Sequence, residues 1–214
     1  MAIEDSERVA EGERQLTLRR HEPTDFFVGV TVVGALIAAA AGAVLAVLFL
    51  VGTFVALLGL RRLELPTTFE LTVAVGIVLQ GWGNALLLFE RIAWYDKAVH
   101  FLTPLLMVPA LYIVLARVGA LASPWRSDLR NATLGVFTVT LALGVASAAI
   151  WELVEGSSDR LLGTGLAHGY FETIDDLYSS LLGSLSGAAL LAWLAATGRD
   201  LTDERSEALL DSHG

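Results

Sequence analysis

The sequence predicts an all-α protein, a polytopic transmembrane helix bundle with six spans and both termini cytoplasmic. Three observations carry that expectation. The 214 residues are 55% hydrophobic and have a mean hydropathy of +0.63, too apolar for an ordinary soluble domain of this length. The apolar residues are concentrated, since positions 26–60 and 131–151 hold no charged side chain. Apolar runs of about 18 or more residues are long enough to cross a ~30 Å hydrocarbon core as helices. The third observation is the distribution of lysine and arginine. With six spans and a cytoplasmic start, eleven of these residues fall inside and three (Arg91, Lys97 and Arg160) outside. Five spans would divide the same residues evenly, seven to seven, so the positive-inside rule selects six.

The elements follow in order. Residues 1–23 form a charged cytoplasmic tail in which Glu4, Asp5, Glu11, Glu13 and four arginines precede any apolar run. That pattern is unlike a cleavable signal, whose apolar region follows its start closely. The uncharged stretch 26–60 would make one helix of about 52 Å, far beyond the bilayer core. Divided near Gly42, it makes two short spans. Further apolar helices are expected over 68–90, 98–117, 131–154 and 175–197. Pro66 and Thr67 open the first of these, Gly119 and Ser123-Pro124 mark a turn-rich connection, and Gly198 closes the last. The whole reads as one transmembrane domain over 24–198, with a second charged cytoplasmic tail over 199–214.

Charge returns to the apolar segments where they should meet water. Asp96 and His100 are four apart, so on a helix they share one face with Cβ atoms about 5–6 Å apart. Glu152 and Glu155 are three apart, and Glu172 and Asp176 four apart, in two later segments. Under the six-span topology these pairs sit at helix ends on the outer face, and Asp159, Arg160, His168 and Asp175 lie in or beside a long outer loop, 156–173. An isolated charge near the bilayer centre costs about 2.5–3.5 kcal/mol on insertion scales. Meeting one another in a polar pocket is less costly than separate exposure to lipid.

An ordered series of motifs carries a family resemblance. Tyr95-Asp96-Lys97-x-x-His100, Trp151-Glu152-Leu153-Val154-Glu155, Leu162-Gly163-Thr164-Gly165 and Thr173-x-x-Asp176, followed by Leu182-Gly183, resemble the YjdF-like membrane proteins over roughly 68–195. More distantly, Asp96-Lys97-x-x-His100-Phe101, Glu152 and Asp176 with Gly183 resemble VanZ-like proteins, which are associated with glycopeptide resistance and the cell envelope. The family usually has an Asp-Thr pair where this chain has Glu172-Thr173, so the acid here has a longer reach. The resemblance implies a multi-pass protein of the cell membrane with an acid-and-histidine cluster.

Three functions are open to that cluster. Asp96, His100, Glu152 and Asp176 could ligate a divalent metal ion, since imidazole nitrogen with carboxylate oxygens suits zinc, manganese or iron. Glu155 or Glu172 would then be the general base of a metal-dependent enzyme acting on lipid or envelope material. The same acids could titrate in a proton- or ion-coupled transporter. They could also form a structural network in a non-catalytic scaffold, with Arg91, Lys97 and Arg160 as counter-ions. The chain has no cysteine, which excludes disulfides and thiolate ligands. No basic patch points to nucleic acid, the bilayer is the partner the composition requires, and nothing in the residues fixes an oligomeric state. Gln80 and Asn84 are expected to bond neighbouring helices, and Gly183-x-x-x-Gly187 to allow close helix packing within the bundle.

Overall fold

The computed structural model describes residues 22–63, 65–125, 131–162 and 169–197. Every regular element among the described residues is helical: α1 (Glu22–Ala40), α2 (Val44–Arg61), α3 (Thr67–Ala85), the single turn α4 (Leu88–Arg91), α5 (Tyr95–Arg117), α6 (Ala132–Leu162) and α7 (Tyr170–Thr197). Residues 1–21 and 199–214 of the charged tails, Gly198, His168 and the Gly163-Thr164-Gly165 motif lie outside the described residues, and Glu22 and Pro23 of the expected tail belong to α1. Four helices, α2, α5, α6 and α7, are long and apolar enough to cross a membrane.

Local chemistry explains the breaks. Gly42 has a φ of +70° and closes α1: its own N–H donates to Ala39 O and that of Ala43 to Ala38 O. This Schellman closure needs a left-handed residue, which glycine adopts without Cβ strain. The long uncharged stretch therefore splits at Gly42, as its length requires. The same closure ends α5, with Gly119 at φ +76° and the Ala120 N–H bonding Leu115 O.

Two boundaries differ from the sequence expectation. The helix expected over 68–90 stops at Ala85 because Leu87 is left-handed, with a φ of 55°, and α4 starts anew at Leu88. Leucine resists that conformation by roughly 1–2 kcal/mol, so nothing in its identity announces the break. The outer loop expected over 156–173 is shorter. Helix α6 runs on through Asp159 and Arg160 to Leu162, and α7 begins at Tyr170. Polar residues do not stop a helix whose backbone is continuous, and apolarity alone had marked the ends too early.

Helix α5 is the centre of the bundle, packing on α3, α6 and α7, while α6 also lies along α7. Helices α1, α2 and α3 pack on one another beside it. The buried apolar core includes Leu57 and Leu60 of α2, Phe69 and Val73 of α3, Tyr112 and Ile113 of α5, Val136 of α6, and Leu191 and Leu194 of α7. These are the late residues of α2, α5 and α7 and the early ones of α3 and α6, so the core occupies one end of the bundle. Large apolar side chains on the outside, among them Phe26, Leu36, Ile37, Leu48, Val55, Ile150 and Leu153, are exposed. Such a surface suits lipid and would be a liability in water.

Helices α5 and α7 touch backbone to backbone. A Cβ added at Gly183 would lie 2.9 Å from the Phe101 carbonyl carbon and closer still to its oxygen; one at Gly187 would lie 3.1 Å from Leu105 O. The Gly183-x-x-x-Gly187 pair therefore packs within the bundle, as small residues do where helices approach closely. Pro104 and Pro109 lie inside α5, and their missing N–H groups leave the His100 and Leu105 carbonyls without their usual helical donors. Asn84 Nδ2 bonds Gln80 O of its own helix at 2.9 Å, rather than reaching a neighbouring one.

Candidate functional site: a histidine among carboxylates

The end of the bundle opposite the apolar core is polar. Early residues of α5 meet late residues of α6 and early residues of α7 there, because the three helices alternate in direction. Tyr95 helps to seat the start of α5, donating its hydroxyl to Leu79 O of α3 at 2.7 Å and stacking edge-on against Phe89.

His100 lies in the middle, with its side chain only 10% exposed. Its Nε2 is 3.5 Å from Asp96 Oδ1 and 3.9 Å from Asp176 Oδ1. Its Nδ1 is 4.0 Å from Glu152 Oε1 and 3.3 Å from the Ser180 hydroxyl. The Asp96–His100 spacing read from the sequence thus does what a helix dictates. The structure also brings Glu152 and Asp176 to the same ring from two other helices. Glu155 lies within the same neighbourhood. Single ligand atoms of His100, Glu152 and Glu155 all lie within 4.8 Å of one another, and so do those of Asp96, His100 and Asp176. Glu172 is half-buried in the first turn of α7 and belongs to neither triad.

Lys97 is the cation of the site. Its Nζ donates to Asp176 Oδ1 at 2.6 Å and to Asp96 Oδ2 at 3.0 Å. Asp176 is buried, its side chain 6% exposed, while Lys97 is 35% exposed, so the pair links α5 to α7 with its carboxylate end enclosed. A carboxylate this enclosed needs such a partner, since an unpaired buried charge is strongly destabilising. Four carboxylates (Asp96, Glu152, Glu155 and Asp176) stand around one lysine and one histidine, which leaves the pocket with an excess of negative charge.

The acids sit deeper in the helices than their expected places at helix ends. Glu152 is ten residues before the end of α6, and Asp176 six residues after the start of α7. Ser180, absent from the residues singled out in the sequence, faces the ring. The signal for it is legible in hindsight. Thr173, Asp176, Ser180, Gly183, Ser184 and Gly187 recur at helical spacing, and Asp176, Ser180, Gly183, Ser184 and Gly187 are buried. Glu70 was also missed. It is 2% exposed at the other end of the bundle and accepts a hydrogen bond from the Thr24 hydroxyl.

These features define the class: a multi-pass α-helical membrane protein with a cluster of acidic residues, a lysine and a histidine at one end of its helix bundle. The chain belongs to the family described as predicted membrane protein (DUF2238), whose pattern matches residues 25–197. That match covers α1 from Asp25 onward, all the later helices and every residue of the cluster around His100. The chain is also 26% identical over 145 residues to an uncharacterized protein of Thermotoga maritima, covering 67% of this chain and 71% of that one. No solved structure matches it.

Proposed function

We propose that the pocket around His100 binds a divalent metal ion and that the protein is a metal-dependent membrane enzyme acting on lipid or envelope material. One observation carries this reading: a single imidazole presents both nitrogens to carboxylates from three helices. Bonds of ~2.0–2.2 Å to nitrogen and oxygen in a tetrahedral zinc site place neighbouring ligand atoms roughly 3.3–3.6 Å apart. An ion takes one ring nitrogen, and the separations are close to that on either side, 3.5 and 3.9 Å at Nε2 and 4.0 Å at Nδ1. The donor set, histidine and carboxylate without thiolate, suits zinc, manganese or iron(II), and the excess negative charge favours a cation. Asp96, Glu152 and Asp176 are the candidate ligands beside His100, and Glu155 or Glu172 the candidate general base that would take a proton from attacking water.

A second reading, a proton- or ion-coupled carrier, is favoured by the Lys97–Asp176 pair, because ion pairs inside spanning helices recur along proton and ion paths. Elemental analysis of the purified chain separates the two. Stoichiometric metal in the parent, lost in a His100→Ala, Glu152→Gln variant, supports the enzyme. A folded parent that takes up no metal from excess zinc or manganese leaves carrier or scaffold.

The topology belongs to the same proposal: six spans, both termini cytoplasmic, in the cell membrane, with the pocket facing outward. Helix α3 carries Glu70, Gln80 and Asn84, and the apolar part of α1 is Thr24–Ala40, so these two are the weakest spans by composition. The eleven-to-three charge asymmetry and the Gly42 turn support counting both. Reporter fusions at Arg62 and at the C-terminus should both report inside, and an outside signal at Arg62 overturns the count. The DUF2238 match supports the YjdF-like reading of the motifs. The VanZ-like likeness rests on fewer residues and adds no role to the proposal.

A further inference from the structure

The pocket contains two triads that share His100, and they are not equivalent. In the first, Asp96 and Asp176 face Nε2. In the second, Glu152 faces Nδ1 and Glu155 completes the set. Lys97 is bonded to both carboxylates of the first, at 3.0 and 2.6 Å. No ion pair among the described residues joins Glu152 or Glu155 to a lysine or arginine.

We propose that Lys97 is a tethered cation closing the Asp96–His100–Asp176 triad, so that a divalent ion is held instead by His100 Nδ1, Glu152 and Glu155. This rests on the metal reading above and assigns the ion to one side of the ring, making Glu155 a ligand and Asp96 and Asp176 its supports rather than ligands.

The assignment requires the ring proton on Nε2, where Asp96 Oδ1 at 3.5 Å is the nearest carboxylate oxygen to face it, an ionised carboxylate being an acceptor only. That leaves the lone pair of the neutral ring on Nδ1, where the Ser180 hydroxyl, 3.3 Å away, can donate to it. Metal-bound histidines usually hold their other ring N–H on a carboxylate, which fixes the ring and raises its basicity. Asp96 is in the place for that role. His100 and Glu152 side chains are each 10% exposed, so the lone pair and the facing carboxylate are sheltered from bulk water. Lys97 does two things here. It offsets one of the two negative charges of Asp96 and Asp176, and it occupies Asp176 Oδ1, the oxygen that faces Nε2, and Asp96 Oδ2.

The test uses the full chain in detergent with manganese and zinc salts as probes. The parent should bind one ion, and Glu152→Gln with Glu155→Gln should weaken binding by about 100-fold or more. Adding Lys97→Met to that double variant opens the first triad and should restore affinity to within about tenfold of the parent. Undiminished binding by the double variant, or no recovery in a folded triple variant, overturns the assignment. Should the variants fail to fold, the unmodified chain still decides. With ¹⁵N-labelled histidine and ¹¹³Cd²⁺ as the probe, cadmium–nitrogen coupling should appear at His100 Nδ1, and coupling at Nε2 overturns the proposal. A parent that binds no ion at all defeats the metal reading itself, whereas binding through Nε2 defeats only this assignment.

Discussion

Replacing Gly183 with alanine tests how the pocket is held. The added Cβ would sit 2.9 Å from the Phe101 carbonyl carbon, 3.0 Å from Pro104 Cγ and closer still to the Phe101 oxygen. Two of those contacts are backbone and the third is a proline ring, so no flexible side chain can turn aside. Relief requires α5 and α7 to separate by on the order of 1 Å, and overpacking of this kind costs about 1–3 kcal/mol. Alanine's better helix propensity returns roughly 1 kcal/mol, so a net destabilisation of up to about 2 kcal/mol is expected, against a gain of up to about 1 kcal/mol where the Cβ meets nothing. A 1 Å separation would stretch the 2.6 Å Lys97–Asp176 contact past hydrogen-bond length and draw Asp176 away from His100. On the assignment proposed above these groups would support an ion rather than hold it, and losing such support typically costs 10–100-fold in metal affinity. The assay pairs thermal unfolding by circular dichroism with metal titration. Gly59→Ala is the control, because a Cβ there meets nothing within 4 Å. Gly183→Ala matching Gly59→Ala in both stability and affinity would refute the claim that this contact positions the pocket.

Three further outcomes follow from single residues. Gly42→Ala places a Cβ in a left-handed turn at φ +70° and should cost about 1 kcal/mol of stability by thermal unfolding; an unchanged melting temperature would contradict the turn. Leu87→Gly relieves a leucine at φ 55° between α3 and α4 and should be neutral or stabilising by up to roughly 1 kcal/mol, whereas clear destabilisation would mean the Leu87 side chain does more than tolerate the turn. Ser180→Ala removes the hydroxyl 3.3 Å from His100 Nδ1, so metal affinity should hold or rise several-fold. A loss of tenfold or more would make Ser180 a ligand.

The fold was legible in the sequence where it depends on bulk apolarity and on glycine. The uncharged stretch 26–60 was too long for one span, and Gly42 supplied the only conformationally cheap place near its middle to turn. The break at Leu87 was not legible, since tertiary packing imposes a left-handed conformation on a residue that resists it. The site was partly legible for the same kind of reason. Spacing placed Asp96 beside His100 because both lie on one helix, but which faces α6 and α7 present is settled by packing. The Gly183 and Gly187 contacts bring α7 against α5, and that packing carries Asp176 to Lys97 and Ser180 to the ring. Charge marked where the helices were expected to end, yet the acids lie within them, because buried carboxylates were stabilised by partners rather than by nearness to water.

The central claim is that polar residues of α5, α6 and α7 form one pocket around His100. The chain lacks cysteine, so introduced pairs can be read without background. Cysteine pairs at positions 100 and 152, and at 152 and 176, should crosslink in membranes with short thiol reagents, while a pair at 100 and 191, which lies in the apolar core at the opposite end of the bundle, should not. Failure of both site pairs in a chain that still folds would contradict the account and leave the acids as separate charges on three helices.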